Sequence, residues 1–183
     1  MPFVIGVGDG TTYVVQGPDW YRLVTSGFTH AGIIHIALNM YLLYQLGNML
    51  EPAIGRVRFA LTYLASLLGG SALVLLLSPN NLTVGASGAV FGLMGVAAIG
   101  YWLRGVNPLS TQIGSLLMLN LFLTFMFRSS ISVGADTFEI NAGVLCGLAV
   151  VAPAHRRRPQ WMTYAAPAAV ALLALALSIA TTA

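Results

Sequence analysis

The sequence predicts an all-α membrane protein, a polytopic bundle of about six transmembrane helices. Hydrophobic residues make up 57% of its 183 residues and charged residues only 7%, against about 25% charged in an ordinary soluble domain. The apolar residues fall in continuous runs, most of them near the ~20 residues that a helix needs to cross a bilayer. Period-two alternation, the mark of a transmembrane β-barrel, is absent.

Residues 1–30 form an extramembrane N-terminal segment. They contain Gly6, Gly8, Gly10, Gly17 and Pro18 and only a five-residue apolar run, Phe3 to Val7. A basic start followed by a long apolar stretch is missing, so they are not a signal peptide. Trp20 and Tyr21 suit an interfacial aromatic belt. Spans follow at about 31–49, 57–78, 87–104, 110–127, 139–153 and 161–181. The helical core thus covers 31–153, a basic loop covers 154–160, and a C-terminal transmembrane helix occupies 161–183. Short linkers favour antiparallel neighbours.

All eight basic residues are arginine. With alternating spans, Arg56, Arg58, Arg104, Arg156, Arg157 and Arg158 share one side, and Arg22 and Arg128 the other. The positive-inside rule makes the six-arginine side cytoplasmic. The net charge of +3 rests on too few groups to imply a nucleic-acid partner. Cys146 is the only cysteine, so an internal disulfide is excluded, and its apolar setting suits a packed thiol.

Polar residues at membrane depth need a reason. His35 and Asn39, spaced i, i+4, share one helix face. Both can donate hydrogen bonds, either to an oxyanion or to a neighbouring helix. His30 suits an anchor for the preceding loop. Ser87 stands in Gly85-Ala86-Ser87-Gly88 at the start of the third span. It suits a helix cap, or a nucleophile beside the unpaired first-turn amides. Ser87 and His35 fall at similar shallow depth near the outer face. Gly88 and Gly92, and Gly143 and Gly147, form small-residue stripes that predict packing of the third span on the fifth. Glu51, between Gly47 and Gly55, lies at the opposite end and suits a loop-pinning carboxylate.

Taken together these residues resemble the rhomboid family of intramembrane serine proteases, over about residues 20–150. Tyr21-Arg22 is similar to its aromatic-arginine pair. His30, then His35 and Asn39, match its histidine and H-x-x-x-N pattern. Gly47, Glu51 and Gly55 match its G-x-x-x-E-x-x-x-G element, Gly85 to Gly88 and Gly92 its nucleophile motif, and Gly143 and Gly147 its last core helix. The resemblance implies a rhomboid-like bundle and an endopeptidase that cuts transmembrane segments near their outer ends. Ser87 would be the nucleophile, and His35, Asn39 and Gly88 would bind the oxyanion. Arg22, His30, Glu51, Gly85, Gly92, Gly143 and Gly147 would be structural. It implies no cofactor and no metal, with transmembrane substrates or clients and the lipid bilayer as partners, in a plasma membrane.

Two departures from the family stand out. No span precedes the arginine-containing loop, and 161–181 corresponds to an extra C-terminal helix of some members. The family's general base is a histidine three residues before the first glycine of the last core helix. Counting back from Gly143 reaches Ile140, and an alternative alignment through Gly134-Ala135 reaches Asp136. His155 lies about a dozen residues past Gly143, roughly 20 Å along a helix, too far to serve. Asp136, Glu139 or His35 would have to replace the base. Otherwise the chain is an impaired pseudoprotease that binds transmembrane segments without cutting them. A transporter-like bundle is a third reading, but it lacks visible inverted repeats.

Overall fold

The computed structural model describes residues 3–6, 12–15, 21–30, 32–77, 86–126 and 159–182. Helices dominate them, as the apolar runs predict. The exception to an all-α chain is an N-terminal hairpin. Strand β1 (Phe3–Gly6) pairs antiparallel with β2 (Thr12–Val15), with Phe3 opposite Val15 and Gly6 opposite Thr12. Both strands carry β-branched residues, and the intervening sequence holds Gly-Asp-Gly, the composition of a chain reversal.

Helix α1 (Arg22–Thr25) runs into a 3-10 turn at Ser26–Phe28. This short segment is docked by Gly27. A Cβ there would fall 2.6 Å from Leu67 Cδ1, so glycine permits the close approach. Ser71 Oγ donates to the Leu23 carbonyl at 3.5 Å, next to the same contact.

Helix α2 (Ile33–Ile54) outruns the predicted 31–49 span and carries Pro52 in its last turn. It ends at Gly55, whose φ of +84° is a region L side chains rarely adopt. The Gly55 amide donates to the Glu51 carbonyl at 2.9 Å. This sharp exit lets α3 (Arg56–Leu77) begin at the next residue. Arg58 Nη1 then donates to the Ile54 carbonyl at 3.3 Å and covers the end of α2.

Helix α4 (Ser87–Trp102) is the centre of the bundle, with Gly88 through Ala97 all buried. A helix that is apolar all round has no solvent face to present. Its Val90, Leu93, Met94 and Ala97 cluster with Leu42, Leu46 and Leu50 of α2 and with Ile113 and Leu116 of helix α5 (Gln112–Met126). A tight turn and a 3-10 segment at Pro108–Ser110 join α4 to α5, with Asn107 Oδ1 accepting from the Leu109 amide at 3.0 Å. Helix α6 (Met162–Thr182) packs along α3. The predicted fifth span, 139–153, lies outside the described residues.

The contacts fix the direction of each helix. Gly27 against Leu67 puts the second half of α3 beside the entry to α2, so α2 and α3 are antiparallel. Tyr101 Oη lies 3.9 Å from Met49 Sδ, near the C-terminal ends of α4 and α2. With the shared apolar cluster between them, those two helices run in the same direction. The Arg58 guanidinium lies 4.6 Å from the Tyr164 ring centroid, so α6 starts beside the start of α3. Arg56, Arg58 and Arg104 therefore share one end of the bundle, and Arg22 opens α1 at the other.

The core is apolar with a few polar residues among it, and large apolar side chains also cover the outside. Asn39 is 5% exposed and Thr62 fully buried, while Ile33 is 86% and Leu172 67% exposed. Apolar side chains on the outside and polar ones within suit an apolar solvent. Among the described residues, no helix is long and apolar enough to cross a membrane. Helix α2 has 22 residues but carries His35, Asn39, Gln45 and Asn48, and α4 and α5 have 16 and 15. Of these four, Asn39 is buried, His35 and Gln45 are half-buried and Asn48 is exposed.

Candidate active site

The sequence places Ser87, His35 and Asn39 in two apolar segments, and the fold brings their helices together. From the Tyr101–Met49 contact, Ser87 is fourteen residues back along α4 and His35 fourteen residues back along α2. At 1.5 Å per residue, both lie about 21 Å above that contact. Both therefore stand equally far, in residues, from that contact, toward the end away from Arg56, Arg58 and Arg104.

Ser87 is half-buried and is the first residue of α4. The cap position belongs to Ala86, which makes no side-chain capping bond. The helix-cap reading of Ser87 is thus corrected by one residue. The first hydrogen bond of α4 runs from the Val90 amide to the Ala86 carbonyl at 2.9 Å. The amides of Gly88 and Ala89 precede it and have no carbonyl within α4 to reach. A hydroxyl beside first-turn amides is the local arrangement that attack on a carbonyl requires. Gly88 and Gly92 are buried within α4.

On α2, Asn39 Nδ2 donates to the His35 carbonyl at 3.1 Å. This i→i−4 bond holds the amide against its own helix and uses one of its two N–H groups. The next turns of the same face carry Leu42 and Leu46, which pack on α4, so this face of α2 turns toward α4. His35 is half-buried, and its ring meets the ring of His30 edge-on, with centroids 5.2 Å apart and an interplanar angle of 72°.

His30 lies in the loop before α2, where the sequence predicts an anchor. Its Nδ1 lies 3.3 Å from the Phe28 carbonyl and donates to it when that nitrogen carries the proton. Its Nε2 is buried and has no partner among the described residues. Sequence reasoning missed the His30–His35 contact, although five residues across a helix start can bring two rings together. It also missed Gly27, whose only signal was a small residue ahead of Phe28.

Glu51 lies at the opposite end. Its carboxylate is 3.8 Å from Arg56 Nε, and both side chains are exposed. Such a pair is worth at most about 1 kcal/mol. Its backbone carbonyl, not its charge, holds the Gly55 turn. Arg22 opens α1, but its side chain lies outside the described set. Gly85, Asp136, Ile140, Gly143 and Gly147 also lie outside the described residues, as does the expected packing of the third span on the fifth.

Residues 17–156 match the family model of the Rhomboid domain. The chain is 36% identical over 134 residues to RHOMBOID-like protein 6, mitochondrial, of Arabidopsis thaliana, covering 73% of this chain and 43% of that one. It is 32% identical over 136 residues to Rhomboid-like protease 3 of Toxoplasma gondii, covering 72% and 50%. It is 39% identical over 83 residues to Rhomboid-like protein 11, chloroplastic, of Arabidopsis thaliana, covering 45% and 30%. The chain spans half or less of the length of each. The domain match runs through α2, α3, α4 and α5, the helices that carry His35, Asn39 and Ser87, and this chain belongs to the rhomboid family.

Proposed function

We propose that this chain carries a rhomboid-type intramembrane serine endopeptidase site, with Ser87 as nucleophile, acting on transmembrane segments near their outer ends. What supports this reading is that Ser87 on α4 and His35 on α2 each stand fourteen residues from the Tyr101–Met49 contact, on helices that share an apolar seam. Ser87 would attack the substrate carbonyl. The Gly88 amide, His35 and the second N–H of Asn39 would receive the developing oxyanion. Substrate helices with glycine or proline near the cut would unwind more readily and expose the carbonyl. The reaction needs no cofactor. The substrate segment and the surrounding lipid are its partners.

Family membership makes the protein integral to a membrane. The mitochondrial and chloroplastic relatives lend no support to a plasma membrane. The core at 31–153, the basic loop at 154–160 and the C-terminal helix remain our division of the chain.

A second reading rests on one observation. The position three residues before Gly143 is Ile140, and the alternative alignment gives Asp136. Without an imidazole base, serine is a weak nucleophile at neutral pH, and loss of a triad member costs orders of magnitude in rate. The chain would then bind transmembrane segments without cutting them.

A serine-reactive fluorophosphonate probe separates the two. Labelling at Ser87 that is lost in Ser87→Ala supports the protease. A folded, detergent-stable protein that stays unlabelled, yet captures a transmembrane peptide, supports the pseudoprotease.

A further inference from the structure

We propose that His30 is a positioning residue for His35. The loop before α2 holds one imidazole edge-on against the other and so fixes the direction in which His35 presents its ring nitrogens. The consequence for chemistry rests on the protease reading, where His35 receives the oxyanion. The positioning itself concerns only the two rings. Their centroids are 5.2 Å apart and their planes 72° apart, the edge-to-face arrangement that aromatic rings prefer.

His35 needs outside support because of where it stands. It is the third residue of α2, whose cap, Gly32, has no side chain to bond the first-turn amides. The first backbone bond of the helix runs from the Ile36 amide to the Gly32 carbonyl at 3.1 Å, one residue past His35. Of residues 33–36 His35 alone is half-buried, and Ile33, Ile34 and Ile36 are exposed. Its chain neighbours therefore turn away from it. Rotation about the second side-chain torsion of histidine is broad, so a ring without a packed neighbour samples several directions. A donor aimed at an oxyanion must hold one of them. Asn39 shares this dependence, since its side-chain amide donates to the His35 carbonyl at 3.1 Å.

The loop supplies a fixed neighbour. Ser26 Oγ donates to the Leu23 carbonyl at 3.3 Å, and Thr29 Oγ1 and the Thr29 amide donate to the Ser26 carbonyl at 2.9 Å and 3.2 Å. Gly27 seats the same turn on Leu67 of α3. His30 follows directly. Its own hydrogen bonding does not account for an imidazole here. The Nδ1 contact with the Phe28 carbonyl is 3.3 Å, long for an N–H donor, and buried Nε2 has no partner among the described residues. The contact that remains is the ring against His35. Contacts thus run from α3 through the loop to His30, His35 and Asn39.

The test uses the full chain in detergent with isotope-labelled histidine. The chain has three histidines, so the NMR signals of the His35 ring are assigned with His30→Leu and His155→Gln. His30→Leu keeps bulk but no ring, and His30→Phe keeps a ring but loses the Nδ1 bond. We expect His30→Leu to shift and broaden the His35 ring signals, and His30→Phe to leave them sharp. Gly27→Ala, which disturbs the loop without altering either imidazole, should shift the same signals. Fluorophosphonate labelling of Ser87 should slow about fivefold in His30→Leu and return to within about twofold of wild type in His30→Phe, the effect of aiming one donor. A residue that only supports the fold would lower Tm in both variants and show no ring-dependent rescue. The proposal is overturned if the His35 signals are unchanged in folded His30→Leu or, where that variant does not fold, in Gly27→Ala. It is also overturned if His30→Phe behaves like His30→Leu. If the His35 signals respond as expected while Ser87 is never labelled, even in the wild type, the positioning stands and the protease reading fails.

Discussion

Tyr101 and Met49 touch across the far ends of α4 and α2, with the tyrosine hydroxyl 3.9 Å from the thioether sulfur. The contact is weak in itself. Its importance is register, because Ser87 and His35 each stand fourteen residues back along their helices from it. The leucine face of α2 supplies the energy that holds this register.

That face gives the first prediction. Leu46 is fully buried between α2 and α4. Leu46→Ala should destabilise the bundle by about 2–5 kcal/mol, the range for a buried leucine truncation. A clear fall in Tm in detergent is expected, whereas Tyr44→Ala, on the exposed face, should change Tm little. Equal falls would mean that the α2–α4 seam is not the core.

Gly27 and Leu67 form the second. A methyl group on Gly27 would collide with the ends of the Leu67 side chain, which can shift at a cost. Gly27→Ala should therefore destabilise by about 1–3 kcal/mol. In the double variant with Leu67→Ala the two losses should sum to less than their separate values, because the added methyl enters the space vacated. Strict additivity would show that the loop is not docked there.

The shared end of Arg56, Arg58 and Arg104 supports a third. Charge bias assigns that end to the cytoplasm. With Cys146→Ala as background, Arg104→Cys should resist an impermeant thiol reagent added outside intact cells, and Ile33→Cys should react. The reverse pattern would invert the protein in its membrane.

The fourth concerns the base. Ile140 cannot accept the serine proton, whereas an imidazole with a pKa near 6.5 can accept it and return it to the leaving amine. Ile140→His should raise cleavage of a transmembrane reporter at least tenfold, and adding Ser87→Ala should remove the gain. A wild type that already cleaves in a Ser87-dependent way would show that another group serves, and variants of Asp136, Glu139 and His35 would identify it. The comparison requires a monodisperse, folded peak for each variant.

The sequence by itself determined most of the helices. The runs at 57–78, 87–104, 110–127 and 161–181 became α3, α4, α5 and α6 with ends shifted by a few residues, because continuous apolar character allows only a helix in lipid. It also singled out Ser87, His35 and Asn39, since polar groups in such runs are costly and few. Other features lay outside its reach. The extension of α2 through Pro52 depends on the turn at Gly55 and on Arg58 covering the last carbonyls. The hairpin at Phe3–Gly6 and Thr12–Val15 depends on pairing between strands too short to stand out as runs. The docking of Gly27 on Leu67, the edge-on histidine rings and the contact of Tyr101 with Met49 join residues distant in the chain or on different elements. Periodicity reports which face of a helix is apolar, but not which helix lies against it or at what height. Only tertiary packing decides that, through contacts such as Tyr101 against Met49.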